Sequence, residues 1–139
     1  MTDATTPPTS AITSVAVIGF GTMGSGIAHV CAQAGIDVRV IEQSEAVIER
    51  DMAGITRQLD RAVEKGRLDA AGRDATLARL TTSTELATAF DAQLVIEAIP
   101  ERLALKQELF ATLDEAVGPE TILATNTSAL SVTEIAAST

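Results

Sequence analysis

The stretch Gly19-Phe20-Gly21-Thr22-Met23-Gly24 limits what this chain can fold into more than any other. It follows an apolar run, Val15-Ala16-Val17-Ile18, and precedes an amphipathic one at 27–34. A second apolar run, Val38-Arg39-Val40-Ile41, comes next and ends on an acid, Glu42. A glycine pattern of this kind standing alone carries little weight. Set between a strand and a helix, with a second strand and an acid behind it, it predicts a nucleotide-binding βαβ unit. Gly19 permits the tight turn, Gly21 leaves the backbone open to a pyrophosphate, and Gly24 lets the helix lie close to the strand. The free N–H groups at the helix start and the helix dipole both favour phosphate. All six residues, Phe20, Thr22 and Met23 included, are therefore expected to bind a dinucleotide. Glu42 lies 18 residues past Gly24, near the spacing of about 20 at which an acid bonds a ribose 2′-hydroxyl. A carboxylate there repels a 2′-phosphate, so NAD is expected rather than NADP.

The rest of the chain alternates in the same way, which predicts an α/β fold built on a doubly wound parallel sheet. Strands are expected at 14–19, 37–42, 80–83, 94–98 and 121–125. Helices are expected at 23–34, 45–65, 69–78 and 103–117, with a helical turn at 84–89. Another helix is expected from Ser131 to the end. The helices at 45–65 and 69–78 form a hairpin inserted after the second strand, with Ser44 able to cap the first and Gly66 to end it. In the helix at 103–117, Leu105, Leu109, Phe110 and Leu113 are expected to face inward. Residues 1–13, rich in Thr, Pro and Ser, read as a disordered leader, and 14–139 as the folded domain.

The 139 residues suffice for about one domain. Nearly half are hydrophobic and only 2% aromatic, so the core is expected to be aliphatic, as suits a sheet buried on both faces. A formal net charge of −9 argues against nucleic acid and anionic membrane as partners. No apolar run approaches the length of a membrane span. The single cysteine, Cys31, cannot form an internal disulfide and fits a cytoplasmic setting. No metal site is expected.

In an open α/β sheet, ligands sit outside the carboxyl ends of the strands. The glycine loop, Glu42, the segment from Glu97 to Glu101 and Asn126-Thr127-Ser128 all fall there. Together with Leu94-Val95-Ile96-Glu97-Ala98-Ile99-Pro100-Glu101 and Leu123-Ala124-Thr125-Asn126-Thr127-Ser128-Ala129-Leu130, the glycine stretch resembles the L-3-hydroxyacyl-CoA dehydrogenase family from residue 14 onward. The resemblance implies a Rossmann-type NAD-binding domain and the oxidation of a 3-hydroxyacyl-CoA to a 3-ketoacyl-CoA. It implies Glu42 as adenosine-ribose ligand and Glu101 and Lys106 as contacts on the nicotinamide side. Ser128 would be the active-site serine, bonding the substrate 3-oxygen and touching the cofactor, with Asn126 shaping its loop. Lys65 would meet the CoA moiety. Gln58 stands nearby, where relatives can offer a small hydroxyl.

Plainer roles compete for several of these residues. Glu97 could bond only backbone, Glu101 and Lys106 could be ordinary helix charges, and Ser128 could cap a turn. His29, the only histidine, reads as a structural helix residue. Taking the proton from a 3-hydroxyl needs a base, to which histidine is suited. In the family that this chain resembles, a His paired with a Glu serves, and both lie beyond the Asn-Thr-Ser loop, as do the helical C-terminal domain and the homodimer contact. The chain is therefore expected to be a cofactor-binding half. The alternative is a stand-alone NAD(H)-binding module or regulatory subunit without catalysis.

Overall fold

Each apolar run of four or five residues becomes a strand. A computed structural model describes residues 11–139, so most of the expected leader lies outside the described residues. Five strands, β1 (Ser14–Ile18), β2 (Asp37–Ile41), β3 (Leu80–Ser83), β4 (Leu94–Glu97) and β5 (Ile122–Thr125), form one sheet in the order β3-β2-β1-β4-β5. Every neighbouring pair is parallel. The strand order reverses between β1 and β4, and this switch point opens the crevice in which doubly wound sheets bind ligands.

Alternation along each strand supplies two faces. Val15, Val17, Val38, Val40 and Leu80 point to one side, where they pack with Ala28 and Ala32 of helix α1 (Gly21–Gln33) and Ile55 and Leu59 of helix α2 (Glu45–Glu64). Ala16, Ile18, Ile41 and Val95 point to the other, against a short 3-10 turn (Leu86–Ala89) and Leu113 of helix α4 (Leu103–Ala116). Helix α3 (Ala70–Ala78) returns from α2, and Arg73 bonds Asp60 across the hairpin. The core is aliphatic apart from Phe20 and Phe110, both buried. Phe110 faces inward as expected, and Phe20 adds a second ring to the aliphatic interior.

Local chemistry sets the ends. Ser44 accepts from the Val47 N–H and caps α2, and Asp69 accepts from the Gly72 N–H and caps α3. β1 stops at Ile18, one residue early, because Gly19 turns with φ of +92°. The last helix, expected to run to the end, is short: α5 (Val132–Ala136) is capped by Ser131 and closed when Ser138 and Thr139 donate their hydroxyls to the carbonyls of Ile135 and Ala136. No helix among the described residues is long and apolar enough to cross a membrane.

Candidate cofactor-binding cleft

The glycine loop connects β1 to α1, and three of its glycines do separate jobs. A Cβ on Gly24 would lie 1.9 Å from the Gly19 carbonyl oxygen, so only glycine lets α1 descend onto the turn. A Cβ on Gly19 would meet the Ala98 carbonyl oxygen at 2.6 Å, on the loop after β4. Gly21, with φ of +55°, has nothing within 4 Å of where a Cβ would stand; the space is open to solvent. No side chain caps α1, and its first turn contains no acid. Its leading N–H groups are thus left for an anion. Thr22 and Met23 are exposed beside them. Phe20 is different: the residue is 2% exposed and its ring packs in the core, so any contact that it makes with a cofactor is through its backbone.

Glu42 stands at the end of β2, half-buried. One carboxylate oxygen accepts from the Phe20 N–H at 3.1 Å and the other from the Ser44 N–H at 3.1 Å. The acid thereby ties the glycine loop to the start of α2. An ionised carboxylate has acceptor capacity left for a ribose hydroxyl.

The β4–β5 side of the crevice is built from charge. Glu97 ends β4 beside Ile18 of β1 and Thr125 of β5, wholly buried. A buried carboxylate needs a counter-charge and hydrogen bonds, and Glu97 has both. Lys106 Nζ donates to its Oε1 and Oε2 at 3.0 and 2.8 Å, Thr125 Oγ1 donates to Oε1 at 2.5 Å, and the Ile99 N–H donates to Oε2 at 2.7 Å. The third Lys106 bond goes to Glu101 Oε1 at 2.7 Å. Thr127 Oγ1 donates to Glu101 Oε2 at 2.6 Å and accepts from the Leu130 N–H. The Thr127 N–H in turn donates to Thr125 Oγ1, which closes a ring. Among the described residues no buried side-chain polar atom lacks a partner. Two carboxylates share one ammonium, so the ring carries one net negative charge, and Glu101 presents it with 47% of its side chain exposed. The Lys106 and Thr127 bonds hold the Glu101 carboxyl below the usual carboxylate range. Burial lowers the Lys106 ammonium, but its bonds to Glu101 and Glu97 outweigh that and leave it raised.

Thr127 holds the loop on which Asn126 and Ser128 stand. Both are exposed, and neither side chain is hydrogen-bonded among the described residues. The Asn126 N–H donates to the Glu97 carbonyl. Two sets of expected residues are thus brought to one edge: the glycine loop with Glu42, and Glu101 with Ser128. Lys106 lies beneath the edge with no exposed surface, so any influence on a bound molecule passes through Glu101. Its inward place also corrects Leu105, which is 42% exposed; the buried face of α4 runs Lys106, Phe110, Leu113. Gln58 and Lys65 are exposed on the hairpin, two turns apart on one face of α2 with Arg61 between them. They touch neither set. His29 is half-buried in the middle of α1. Cys31 packs on the core, and burial pushes its thiol up.

Residues 14–139 match the family model described as "3-hydroxyacyl-CoA dehydrogenase, NAD binding domain". A 3-hydroxybutyryl-CoA dehydrogenase of Mycobacterium tuberculosis is 46% identical over 130 residues, which is 93% of this chain and 46% of that protein. A 3-hydroxyadipyl-CoA dehydrogenase of Escherichia coli is 45% identical over 126 residues, 91% of this chain and 26% of that protein. The crystal structure of an Escherichia coli 3-hydroxybutyryl-CoA dehydrogenase superposes with a TM-score of 0.89 at 45% identity, covering 91% of this chain and 27% of the other. The chain thus spans about half the length of the first of these relatives and about a quarter of the others.

Proposed function

The chain belongs to the 3-hydroxyacyl-CoA dehydrogenase family as its NAD-binding domain, and from that premise we propose that residues 14–139 are the cofactor half of an enzyme that oxidises a 3-hydroxyacyl-CoA to the 3-ketoacyl-CoA. The observation that carries this reading is the convergence of an uncapped, glycine-lined helix start and the Glu101–Ser128 loop pair across one switch point. The residues fit NAD. Gly21 leaves room for the pyrophosphate, the N–H groups of α1 meet its charge, and Glu42 accepts from the adenosine ribose. NAD, when bound, supplies the hydride acceptor.

The chain's own residues do the rest of what this half contributes. Ser128, whose side chain has no hydrogen-bond partner among the described residues and which stands on a loop pinned by Thr127, bonds the 3-oxygen of the substrate and orients it. Glu101 faces the nicotinamide half of the cleft. Lys65, with Gln58 on the same helical face, contacts the CoA moiety. The hydroxyl proton needs a base, and the one histidine, His29, lies within α1 rather than at the carboxyl edge. The base is assigned to the part of the enzyme that relatives carry beyond the matched half. The same reading places the complete enzyme in the cytoplasm, as a homodimer.

Titrating the purified chain with NADH, followed by acetoacetyl-CoA, tests the proposal. A saturable rise in NADH fluorescence that survives acetoacetyl-CoA is expected. Catalytic loss of NADH would mean that this half has its own base, and no rise would refute the NAD site. Persistent binding of NADH with no affinity for acetoacetyl-CoA would favour a stand-alone NAD(H)-binding module.

A further inference from the structure

We propose that Glu97 is a positioning residue for the nicotinamide half of the cleft, acting through Lys106 and Thr125 to hold Glu101 and the Ser128 loop in register. The inference deepens the NAD-binding reading and rests on it. Among the described residues, the Thr127–Glu101 bond is the only hydrogen bond between segments 98–102 and 126–131. The two loops leave adjacent strand ends, and this bond ties them directly to each other. Glu97 determines whether the bond can form. It occupies two of the three donors of the Lys106 ammonium, which leaves the third aimed at Glu101. It also accepts the hydrogen bond of the Thr125 hydroxyl, which orients that oxygen's lone pairs to accept from the Thr127 N–H. One buried carboxylate therefore fixes both ends of the bridge.

Stability alone is a poor reason for such an arrangement. Well-packed apolar residues of similar volume stabilise a core as well as a buried ion pair does. What the charges supply is direction, since each hydrogen bond has one favourable geometry. A dinucleotide lies across the switch point with its adenosine half towards β2 and Glu42 and its other half towards β4 and β5. Glu97 sits under the second half only, so its influence should be confined there.

That confinement gives the test. NADH spans both halves of the cleft, whereas ADP lacks the nicotinamide riboside and meets only the glycine loop and Glu42. In Glu97→Gln the amide keeps most of the shape but cannot neutralise Lys106. The dissociation constant for NADH is expected to rise about tenfold, with that for ADP unchanged within about twofold. Thr127→Val leaves the buried pair intact and cuts the bridge to Glu101; it should show the same selectivity at about threefold, and it decides the matter if Glu97→Gln does not fold. Equal weakening of both ligands would reduce Glu97 to a structural residue and overturn the proposal, as would no change in either. Failure of the unaltered chain to bind NADH would instead overturn the NAD-binding reading and this inference with it.

Discussion

The two sides of the switch point present ligand-facing groups by opposite means. On the β1–β2 side the geometry comes from side chains that are missing: Gly24 lets the helix in, Gly19 lets the next loop in, and Gly21 leaves space. On the β4–β5 side it comes from side chains that are present and charged, with one ammonium held between two carboxylates and two threonines closing the ring. The first side should be damaged by adding atoms, the second by removing one partner.

The largest effect is expected from removing the shared cation. Lys106→Met keeps the bulk of the side chain but leaves the buried Glu97 carboxyl with no counter-charge. Breaking a buried pair in this way costs about 3–5 kcal/mol. Urea unfolding followed by circular dichroism is the measurement, because the chain has no Trp or Tyr to report by fluorescence. A loss below about 1 kcal/mol would mean that the pair behaves like a surface bridge, and the contrast between the two sides would fail.

On the glycine side, the contrast can be sharpened by two alanines of unequal cost. Gly24→Ala drives a methyl to 1.9 Å from a backbone oxygen, and the helix must move away. A loss of about 2–3 kcal/mol is expected, together with loss of NADH binding. Gly21→Ala meets no atom within 4 Å, so it pays only the left-handed backbone penalty of about 1 kcal/mol. Its NADH affinity should nonetheless fall more than tenfold, roughly, because the methyl occupies the pyrophosphate approach. Equal unfolding midpoints for the two variants would show that Gly24 is not a close-contact position.

This division also explains what could be read before the fold was known. Glycines act locally: their spacing within one strand–turn–helix unit states their purpose, and Gly19, Gly21 and Gly24 stand where that spacing puts them. The ring around Glu97 is non-local. It joins residues 97, 101, 106, 125 and 127 from two strand ends, two loops and a helix, and no single segment shows it. Two signals did exist. An acid inside an apolar strand demands a buried cation, and the chain has only two lysines. Lys106 also falls on the same helical face as Phe110 and Leu113, at spacings of four and seven, so the periodicity that favoured Leu105 could have favoured Lys106. Charge at an inward position reads as a defect in an apolar stripe until its partner is found. Phe20 shows the opposite limit: membership of a glycine motif says nothing about where a ring points, and this one points into the core.

The smallest expected effect concerns pH, and it separates the two members of the ring that touch Glu101. The Glu101 carboxyl is held below its usual 4.5, first by Lys106 and then by the Thr127 hydroxyl. A depressed acid stabilises the fold fully above its unfolded pKa, and that stabilisation is lost as pH falls through the folded value. Lys106 is raised above its usual 10.5, so its contribution is complete below that pH and is lost only on further alkalinisation. Between these limits Glu101 and Lys106 add no slope to stability. In Thr127→Val one of the two forces on Glu101 is gone, so its folded pKa moves back towards 4.5 and the acid loss begins at a higher pH. The alkaline limb should not move, because Glu97 and Glu101 still face Lys106. Thermal unfolding recorded from about pH 2 to 5 and again above about pH 10 tests both limbs. Superimposable acid limbs for the variant and the unaltered chain would show that the hydroxyl does not stabilise the ionised carboxylate, and the bridge between the two loops would then be steric rather than electrostatic.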